Sequence, residues 1–313
     1  MKEENIVLLF LGCIVLVGVL TLSAIVRILL RRFGYLSPPP RFEVWLRGIA
    51  FTLAVAGVLC ILYGRFIEPY WLSVTYNRIE TPKLPTGMRP LRVVHISDLH
   101  SDPEPRLEEQ LPERIAEQQP DIIVFTGDTL NTAKGLPVAR KCLSRLAGIA
   151  PTFVVRGNWD AWYWRHQNLF EGTGVRELAG EASEVTINGF TFYVAGAGVG
   201  DEKEIESLLD NLPPNAFKIF LYHYPDEIMT ASAHGADLYC AGHTHGGQVA
   251  LPFYGALITF SKFGKRFESG LYRVRDTWLY VNRGIGMEGG TAPRVRFFAR
   301  PEISVIEVAP IAR

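Results

Sequence analysis

Seven side chains that can bind metal ions follow short apolar runs along the 313-residue chain. In chain order they are Asp98 and His100 after LRVVHIS (91–97), Asp128 after DIIVFTG (121–127), Asn158 after TFVVRG (152–157), His223 in KIFLYH (218–223), and His243 and His245 in CAGHTHGGQ (240–248). Carboxylate, imidazole and amide groups suit manganese, iron or zinc. Seven ligands are too many for one such ion, so we expect two divalent ions that share a carboxylate. Manganese is the expected metal, with iron and zinc as alternatives.

A pair of metal ions suits the hydrolysis of phosphate esters. Two ions about 3.5–4 Å apart activate water and clamp both the attacking and the leaving oxygen of a phosphoryl transfer. The ligand set therefore predicts phosphohydrolase chemistry, provided that the fold brings the seven side chains together.

The apolar runs predict the elements that position these side chains. Residues 91–97, 121–127 and 152–157 each indicate a buried strand, and the segments 105–120 and 135–149 between them indicate helices. This βαβαβ order implies a mainly parallel sheet, whose strands end at one common edge. The second half of the chain predicts hairpins at 184–198 and 270–284 and strands at 218–223, 236–242 and 302–308.

The N-terminal part predicts a membrane anchor. The run IVLLFLGCIVLVGVLTLSAIV (6–26) is uncharged and long enough to span a bilayer, and a shorter apolar run covers 49–63. We expect a membrane-anchoring region at 1–77 with helices at about 6–26 and 46–66. A polar, proline-containing linker at 78–90 and a catalytic domain at 91–313 would follow. The expected location is the cell (inner) membrane.

The charge distribution bears on partners and topology. The formal net charge is +0, which gives no support to nucleic acid as a partner. Between the two apolar runs, five arginines face the single Glu43, and the positive-inside rule assigns such a segment to the cytoplasm. Two spanning helices would then place the catalytic domain outside the cytoplasm. A second helix lying on the membrane surface would leave it inside.

The ordered motifs D-x-H, GD, GN, H and GHxH, between residue 91 and about residue 308, resemble the calcineurin-like metallophosphoesterase superfamily. GHTHGGQ and the late segment RGIG…PRVRFFARPEISVI are similar to its membrane-anchored branch, which contains UDP-2,3-diacylglucosamine pyrophosphohydrolases and related phosphodiesterases. The resemblance implies an α/β fold in which two mixed β-sheets pack as a sandwich flanked by helices. Here N-terminal transmembrane helices would precede it.

The same resemblance implies a role for each ligand. The first metal would be held by Asp98, His100, Asp128 and His245. The second would be held by Asp128, Asn158, His223 and His243, with Asp128 bridging the two ions. Asp128, Asn158 and His243 are the residues expected to be catalytic.

Residue 159 departs from the superfamily pattern. Much of the superfamily has histidine after the asparagine of GN, where it protonates or orients the leaving group, whereas this chain has Trp159. Tryptophan cannot transfer a proton, which favours a leaving group that needs little protonation. A nucleotide phosphate leaving a pyrophosphate as a stable anion fits. We expect the neighbouring Asp160 to orient a metal ligand.

Four further residues are candidates for substrate contacts: Trp159, His166, Arg294 and Arg296. The first two lie in WDAWYWRHQNLF (159–170), whose aromatic residues are interpreted either as core or as a flap that touches acyl chains. Arginine pairs with phosphate through two parallel hydrogen bonds, although both arginines also suit a solvated strand face.

These features predict a metal-dependent hydrolase of phosphoric esters or pyrophosphates, with the membrane and a lipid-linked or membrane-derived phosphoester as partners. The leading substrate is UDP-2,3-diacylglucosamine, cleaved to the lipid monophosphate and UMP in lipid A biosynthesis. The alternative is a general membrane-tethered phosphodiesterase or phospholipase-like enzyme on the extracytoplasmic face. A third hypothesis is a non-catalytic metal-binding module.

Overall fold

The computed structural model describes residues 3–289 and 294–311, which form two compact units divided between Ile67 and Glu68. The first unit contains helices α1 (Glu3–Arg32) and α2 (Arg41–Phe66). Both are long and apolar enough to cross a membrane, and most of their large apolar side chains are exposed. Arg31 near the end of α1 donates two hydrogen bonds to Glu43 in the first turn of α2, at 2.6 and 2.7 Å.

The second unit contains fourteen strands and five short helices among its described residues. The helices are α3 (Leu111–Ala116), α4 (Leu136–Ala147), α5 (Asn158–Tyr163), α6 (Ile205–Asp210) and α7 (Ile228–Ala233). The strands are β1 (Ser73–Thr81), β2 (Leu91–Ile96), β3 (Ile122–Phe125), β4 (Thr152–Val154), β5 (Arg176–Glu177), β6 (Glu181–Ile187), β7 (Phe190–Gly196), β8 (Lys218–Leu221), β9 (Leu238–Ala241), β10 (Ala250–Leu251), β11 (Gly255–Ala256), β12 (Gly270–Val274), β13 (Thr277–Val281) and β14 (Glu302–Pro310).

The strands form two large mixed sheets and one small hairpin. The first sheet has the order β1-β14-β2-β3-β4-β5, with antiparallel pairing only between β14 and β2. The second has the order β12-β13-β9-β8-β7-β6, in which only the pairs at its two edges are antiparallel. The short strands β10 and β11 pair with each other. In the second sheet the parallel pairs lie at the centre, whereas in the first the parallel pairs flank the internal antiparallel pair of β14 and β2.

Burial divides the second unit into four layers. The cluster between the sheets combines side chains such as Val93 and Val124 of the first sheet with Phe192 and Ile219 of the second. A second cluster packs the outer face of the first sheet against α3 and α4, and a third packs the outer face of the second sheet against α6 and α7. Each central strand is buried on both faces, which explains why its sequence reads as a continuous apolar run. The expected sandwich of two mixed sheets flanked by helices is confirmed.

The boundary between the units lies upstream of the expected linker at 78–90. Strand β1 pairs with β14 in parallel along nine positions, from Ser73 opposite Glu302 to Thr81 opposite Pro310. The segment 68–77, expected within the membrane-anchoring region, therefore belongs to the compact unit that contains the sheets. As an edge strand, β1 buries few side chains and retains a polar, proline-flanked sequence, so its pattern resembled a linker.

Candidate active site

All seven predicted ligands lie just beyond the C-terminal ends of parallel strands. In the first sheet, Asp98 and His100 follow β2, Asp128 follows β3 and Asn158 follows β4; in the second, His223 follows β8 and His243 and His245 follow β9. Because parallel strands end at one edge, this topology gathers residues that are up to 147 positions apart in the sequence.

The first group of side chains contains Asp98, His100 and His245, whose potential ligand atoms all lie within 4.8 Å of one another. His245 Nε2 lies 3.4 Å from Asp98 Oδ1, and the rings of His100 and His245 are 5.1 Å apart. All three residues are buried. One carboxylate and two imidazoles at this separation form a plausible set of donors for one divalent ion.

The second group contains Asp98, Asp128 and His223, again within 4.8 Å. His223 Nε2 lies 3.3 Å from Asp128 Oδ2 and 4.0 Å from Asp98 Oδ1. Asp98 thus belongs to both groups, while Asp128 Oδ2 also approaches His100 Nε2 to 3.5 Å. Two carboxylates lie between the two sets of imidazoles, an arrangement suited to two neighbouring cations.

Asn158 and His243 complete the second side of the site. His243 Nδ1 and Asn158 Oδ1 are 3.1 Å apart, and the His243 ring lies 5.1 Å from that of His223. The Asn158 side chain is buried at the start of α5, directly after the turn that contacts Asp128. The geometry therefore brings both residues to the group that contains Asp128 and His223.

The backbone at the strand ends adopts a left-handed conformation at five ligands. The φ angles are +51° at Asp98, +42° at His100, +57° at Asp128, +69° at His243 and +51° at His245. Aspartate and histidine tolerate this region better than most residues, but each such position stores conformational strain. Backbone hydrogen bonds hold the turns, including Asp98 N–H to Gly127 O and His100 N–H to Asp128 O, both 2.9 Å.

Four ring nitrogens of the site fit metal binding. Among the described residues, His100 Nδ1 and Nε2, His223 Nε2 and His245 Nε2 are buried and have no hydrogen-bond partner. A buried polar atom without a partner is costly, and a divalent ion would relieve this cost at each nitrogen that binds it. The opposite nitrogen of His223, Nδ1, donates to Thr126 O at 2.6 Å, which directs Nε2 towards the carboxylates.

Burial keeps three of the imidazoles neutral. It lowers the pKa of His100 to about 4 and that of His243 to about 3, and it lowers the pKa of His245 well below its usual value. Neutral imidazole is the form that binds metal ions. These side chains are therefore ready to coordinate at neutral pH without first losing a proton.

The remaining ionisable groups form a coupled cluster. Burial raises the pKa of Asp98 to about 7, and the charge of Asp128 adds to this. For Asp128, burial is outweighed by attraction to His223, and the pKa falls to about 2. Burial opposes protonation of His223, but Asp128 and Asp98 raise its pKa to about 9. Without metal, a proton thus neutralises part of the negative charge that bound cations would neutralise.

Asp160 binds the turns that carry the ligands. Its carboxylate accepts hydrogen bonds from the backbone N–H groups of Asp128 (2.9 Å), Thr129 (2.9 Å) and Gly157 (3.0 Å), and from Thr129 Oγ1 at 3.2 Å. The residue is fully buried. It lies where the sequence placed it, next to a ligand-bearing turn.

Trp159 lies beside the first group of ligands. Its ring meets that of His100 edge to face, with centroids 5.3 Å apart, and its backbone N–H donates to Asp128 Oδ1 at 2.8 Å. Glu288, which no sequence motif marked, makes a polar contact with Trp159. Burial raises the pKa of Glu288, the contact with Trp159 lowers it, and repulsion from Asp128 raises it further. An acidic side chain thus lies next to the residue that replaces the family's histidine.

The other three candidates for substrate contacts lie in different environments. His166 is exposed in the turn after α5, and Arg294 is partly exposed and pairs with Asp102 at 2.7 Å. The prediction for Arg296 is wrong, because this residue is fully buried. Its guanidinium donates to Gly286 O (2.9 Å) and to two further backbone carbonyls, and Nη2 lies 3.4 Å from His245 Nδ1. Arg296 therefore packs beside a predicted ligand and has no free face for phosphate.

Comparisons with known proteins agree with this site. The sequence profile of the calcineurin-like phosphoesterase family matches residues 91–247, which contain all seven ligands. Metallophosphoesterase YkuE of Bacillus subtilis (strain 168) is 33% identical over 266 residues, covering 78% of this chain and 87% of the relative. Phosphodiesterase YaeI of Escherichia coli (strain K12) is 28% identical over 259 residues, covering 79% and 92%.

A further relative is a nucleotide-lipid pyrophosphatase. UDP-2,3-diacylglucosamine pyrophosphatase LpxG of Chlamydia muridarum (strain MoPn / Nigg) is 27% identical over 321 residues, covering 82% of this chain and 94% of the relative. The family profile matches half of the chain, and one relative is more than 30% identical. The motifs, the two sheets and these comparisons all indicate the same family. The chain belongs to the calcineurin-like phosphoesterase family and is a metallophosphoesterase.

Proposed function

We propose that this protein is a membrane-anchored hydrolase that uses two divalent metal ions, manganese first among them, to cleave UDP-2,3-diacylglucosamine to the lipid monophosphate and UMP. The observation that carries the reaction class is the convergence of two carboxylates, four imidazoles and one amide at the ends of five parallel strands. The 27% identity to LpxG, over most of both chains, supports the substrate.

The chain's residues would hold the metals in two groups. Asp98, His100 and His245 would bind one ion and Asn158, His223 and His243 the other, with Asp128 between them. Bound ions would supply Lewis-acid polarisation of the phosphate and activation of water. Asp160 holds the turns of Asp128 and Asn158 from outside the two groups, which pre-organises the site before substrate arrives.

Trp159 supports a substrate whose leaving group needs no proton. Its indole N–H is a hydrogen-bond donor but not an acid at neutral pH. A phosphate monoester that leaves a pyrophosphate is a stable anion, whereas the alkoxide from a simple alkyl diester needs protonation. This residue therefore favours a pyrophosphate over an alkyl phosphodiester.

The two N-terminal helices support attachment to the cell (inner) membrane. Among the described residues, Asn5–Arg32 and Arg41–Tyr70 have the length and hydropathy of membrane-spanning segments. Anchoring would confine the enzyme to the surface that contains a diacylated substrate and so raise the effective concentration of both.

A second candidate is a general phosphodiesterase on the extracytoplasmic face. The five arginines around the connection between α1 and α2 favour a cytoplasmic position for that connection. If both helices span the membrane, the second unit then lies outside the cytoplasm. The 28% identity to phosphodiesterase YaeI is compatible with this substrate class.

Turnover by purified full-length protein in detergent with Mn²⁺ tests the two candidates. We expect UDP-2,3-diacylglucosamine to yield the lipid monophosphate and UMP, and Asp128→Ala to abolish both products. Hydrolysis of simple phosphodiesters without turnover of the nucleotide lipid would favour the second candidate. Reporter fusions at the C-terminus would then locate the second unit: an external reporter supports the phosphodiesterase, and a cytoplasmic reporter supports the lipid A substrate.

A further inference from the structure

Arg106 has a buried side-chain nitrogen that lacks a partner among the described residues. It lies between β2 and α3, six residues after His100. Its Nε is buried without a hydrogen-bond partner, and its guanidinium makes no hydrogen bond or ion pair with any residue in 3–289 or 294–311. A buried donor without a hydrogen-bond partner is costly, so this nitrogen is expected to have a ligand.

The acidic groups near Arg106 are engaged elsewhere. Glu108 Oε2 accepts hydrogen bonds from the backbone N–H groups of Arg106 (2.7 Å) and Leu107 (3.0 Å), and Asp102 Oδ2 pairs with Arg294 Nη1 at 2.7 Å. Burial lowers the pKa of Arg106. The negative charges of Glu108 and Asp102 oppose this shift only in part, and the positive charge of Arg294 adds to it. Two guanidinium groups thus lie close enough to repel each other.

This pair of arginines lies beside the metal-binding side chains. Asn131 Nδ2 donates to His100 O at 2.7 Å and lies 3.4 Å from Asp102 Oδ2, which connects the Asp102–Arg294 pair to the turn that carries His100. Any anion bound by the two arginines would therefore neighbour the first group of ligands.

Arg294 keeps donors for an anion. Among its contacts with described residues, one ion pair with Asp102 uses only Nη1, and a third of its side chain is exposed. The planar guanidinium fork matches the geometry of phosphate oxygens, and hydrogen bonds between two charged groups are stronger than neutral ones. Arg296, by contrast, has its donors occupied by backbone carbonyls.

We propose that Arg106 and Arg294 form a subsite for a second phosphoryl group, so that a pyrophosphate substrate binds one phosphate at the metal-binding side chains and the other at the arginines. The subsite deepens the proposed function, on which it rests for the identity of the substrate. It would give the buried Nε of Arg106 a partner, and it would select pyrophosphates over substrates with a single phosphate.

The test compares substrates and inhibitors with one and two phosphates on full-length protein in detergent with Mn²⁺. Turnover of bis(p-nitrophenyl) phosphate, which has one phosphate, reports the hydrolytic site. Its inhibition by UDP-glucose, which has two phosphates, and by UMP, which has one, reports the subsite. The variants are Arg106→Gln, Arg106→Lys and Arg294→Gln. The control is Arg114→Gln, because Arg114 is an exposed residue of α3 that pairs with Glu117.

We expect Arg106→Gln to raise both the KI of UDP-glucose and the KM for UDP-2,3-diacylglucosamine by about tenfold. This is the effect expected when one charge-assisted hydrogen bond is lost. The KI of UMP and kcat/KM for bis(p-nitrophenyl) phosphate should change much less. Arg106→Lys should fall between wild type and Arg106→Gln, Arg294→Gln should resemble Arg106→Gln, and Arg114→Gln should resemble wild type.

Three results would overturn the subsite: no inhibition of wild type by millimolar UDP-glucose, a KI for UDP-glucose in Arg106→Gln within twofold of wild type, or equal weakening of one-phosphate and two-phosphate compounds. Failure of the proposed substrate is a separate outcome. If wild type cleaves bis(p-nitrophenyl) phosphate but not UDP-2,3-diacylglucosamine, the substrate is wrong, while the UDP-glucose series still decides the subsite.

Discussion

Single side chains outside the ligand set hold the ligands in position. Asp160 ties three backbone N–H groups from two turns to one carboxylate, and Arg296 ties three backbone carbonyls to one guanidinium beside His245. The sequence predicted that Asp160 orients a ligand, from its position two residues after Asn158. It assigned Arg296 to substrate because composition does not distinguish a buried arginine from an exposed one.

Replacement of Asp160 by asparagine should weaken metal binding. The amide would point an N–H group at backbone donors, so at least one hydrogen bond to the turn of Asp128 is lost. We expect the Mn²⁺ concentration for half-maximal hydrolysis of bis(p-nitrophenyl) phosphate to rise roughly 10- to 100-fold. Asp276→Asn, at an exposed turn, is the matched control, and equal metal dependence of the two variants would contradict the role of Asp160.

His95 should make stability depend on pH. Burial lowers its pKa to about 3, so the folded protein keeps it neutral while the unfolded chain, with a pKa near 6.5, binds a proton as pH falls. Stability contributed by this residue is therefore present above pH about 6.5 and decreases towards pH 3, by about 1.4 kcal/mol at pH 5.5. His95→Gln, which can still bond to Thr126 Oγ1, should reduce the loss of Tm between pH 7.5 and 5.5. An unchanged pH dependence of Tm in this variant would contradict the assignment.

At the scale of elements, the strands form the core and the turns at their C-terminal ends carry the predicted ligands. The predicted strands 91–97, 121–127 and 152–157 correspond to β2, β3 and β4, and the hairpin turning at Asn188 and Gly189 corresponds to β6 and β7. The helix expected over 105–120 is shorter, since α3 covers only Leu111–Ala116, and the preceding loop instead carries Arg106. Apolar periodicity predicts which face is buried but does not predict which turns of a short helix persist.

Gly242, at the end of β9, should tolerate no side chain. A Cβ there would collide with Ser97 Oγ and the Asp98 carboxylate. Gly242→Ala should therefore displace Asp98, which belongs to both ligand groups, and reduce kcat for bis(p-nitrophenyl) phosphate at least 100-fold. Gly148→Ala, where the nearest atom would be 3.4 Å away and φ is −74°, is the control and should retain activity. Comparable activity of the two variants would show that the turn after β9 adapts.

The whole molecule depends on β1, which joins the second unit from outside the expected catalytic domain. Strand β1 covers one edge of β14, and Glu68 accepts hydrogen bonds from the N–H groups of Phe298 (2.9 Å) and Ala299 (2.6 Å). These contacts connect the start of the second unit to the segment that contains Arg296.

Truncation at two positions tests this dependence. A chain of residues 68–313 keeps β1 and should be soluble, with bis(p-nitrophenyl) phosphate turnover within about threefold of the full-length protein. A chain of residues 91–313 exposes the nine-residue edge of β14 and should aggregate, since an unpaired strand edge recruits other chains. Size-exclusion chromatography of both provides the measurement. Equal solubility and activity of the two chains would show that β1 is dispensable.

The sequence by itself determined the reaction class: the order of the motifs that contain the seven predicted ligands, the apolar runs that position them and the two N-terminal apolar helices. These features are local, because residue type sets ligand chemistry and periodicity sets burial. Only the tertiary structure decided which arginine is buried against carbonyls and which has a buried Nε without a partner in the described part of the chain. It also decided that Glu288 approaches Trp159 and that β1 belongs to the sheet. Each of these depends on residues far apart in the chain, whose contacts arise from the packing of two sheets and have no local signature.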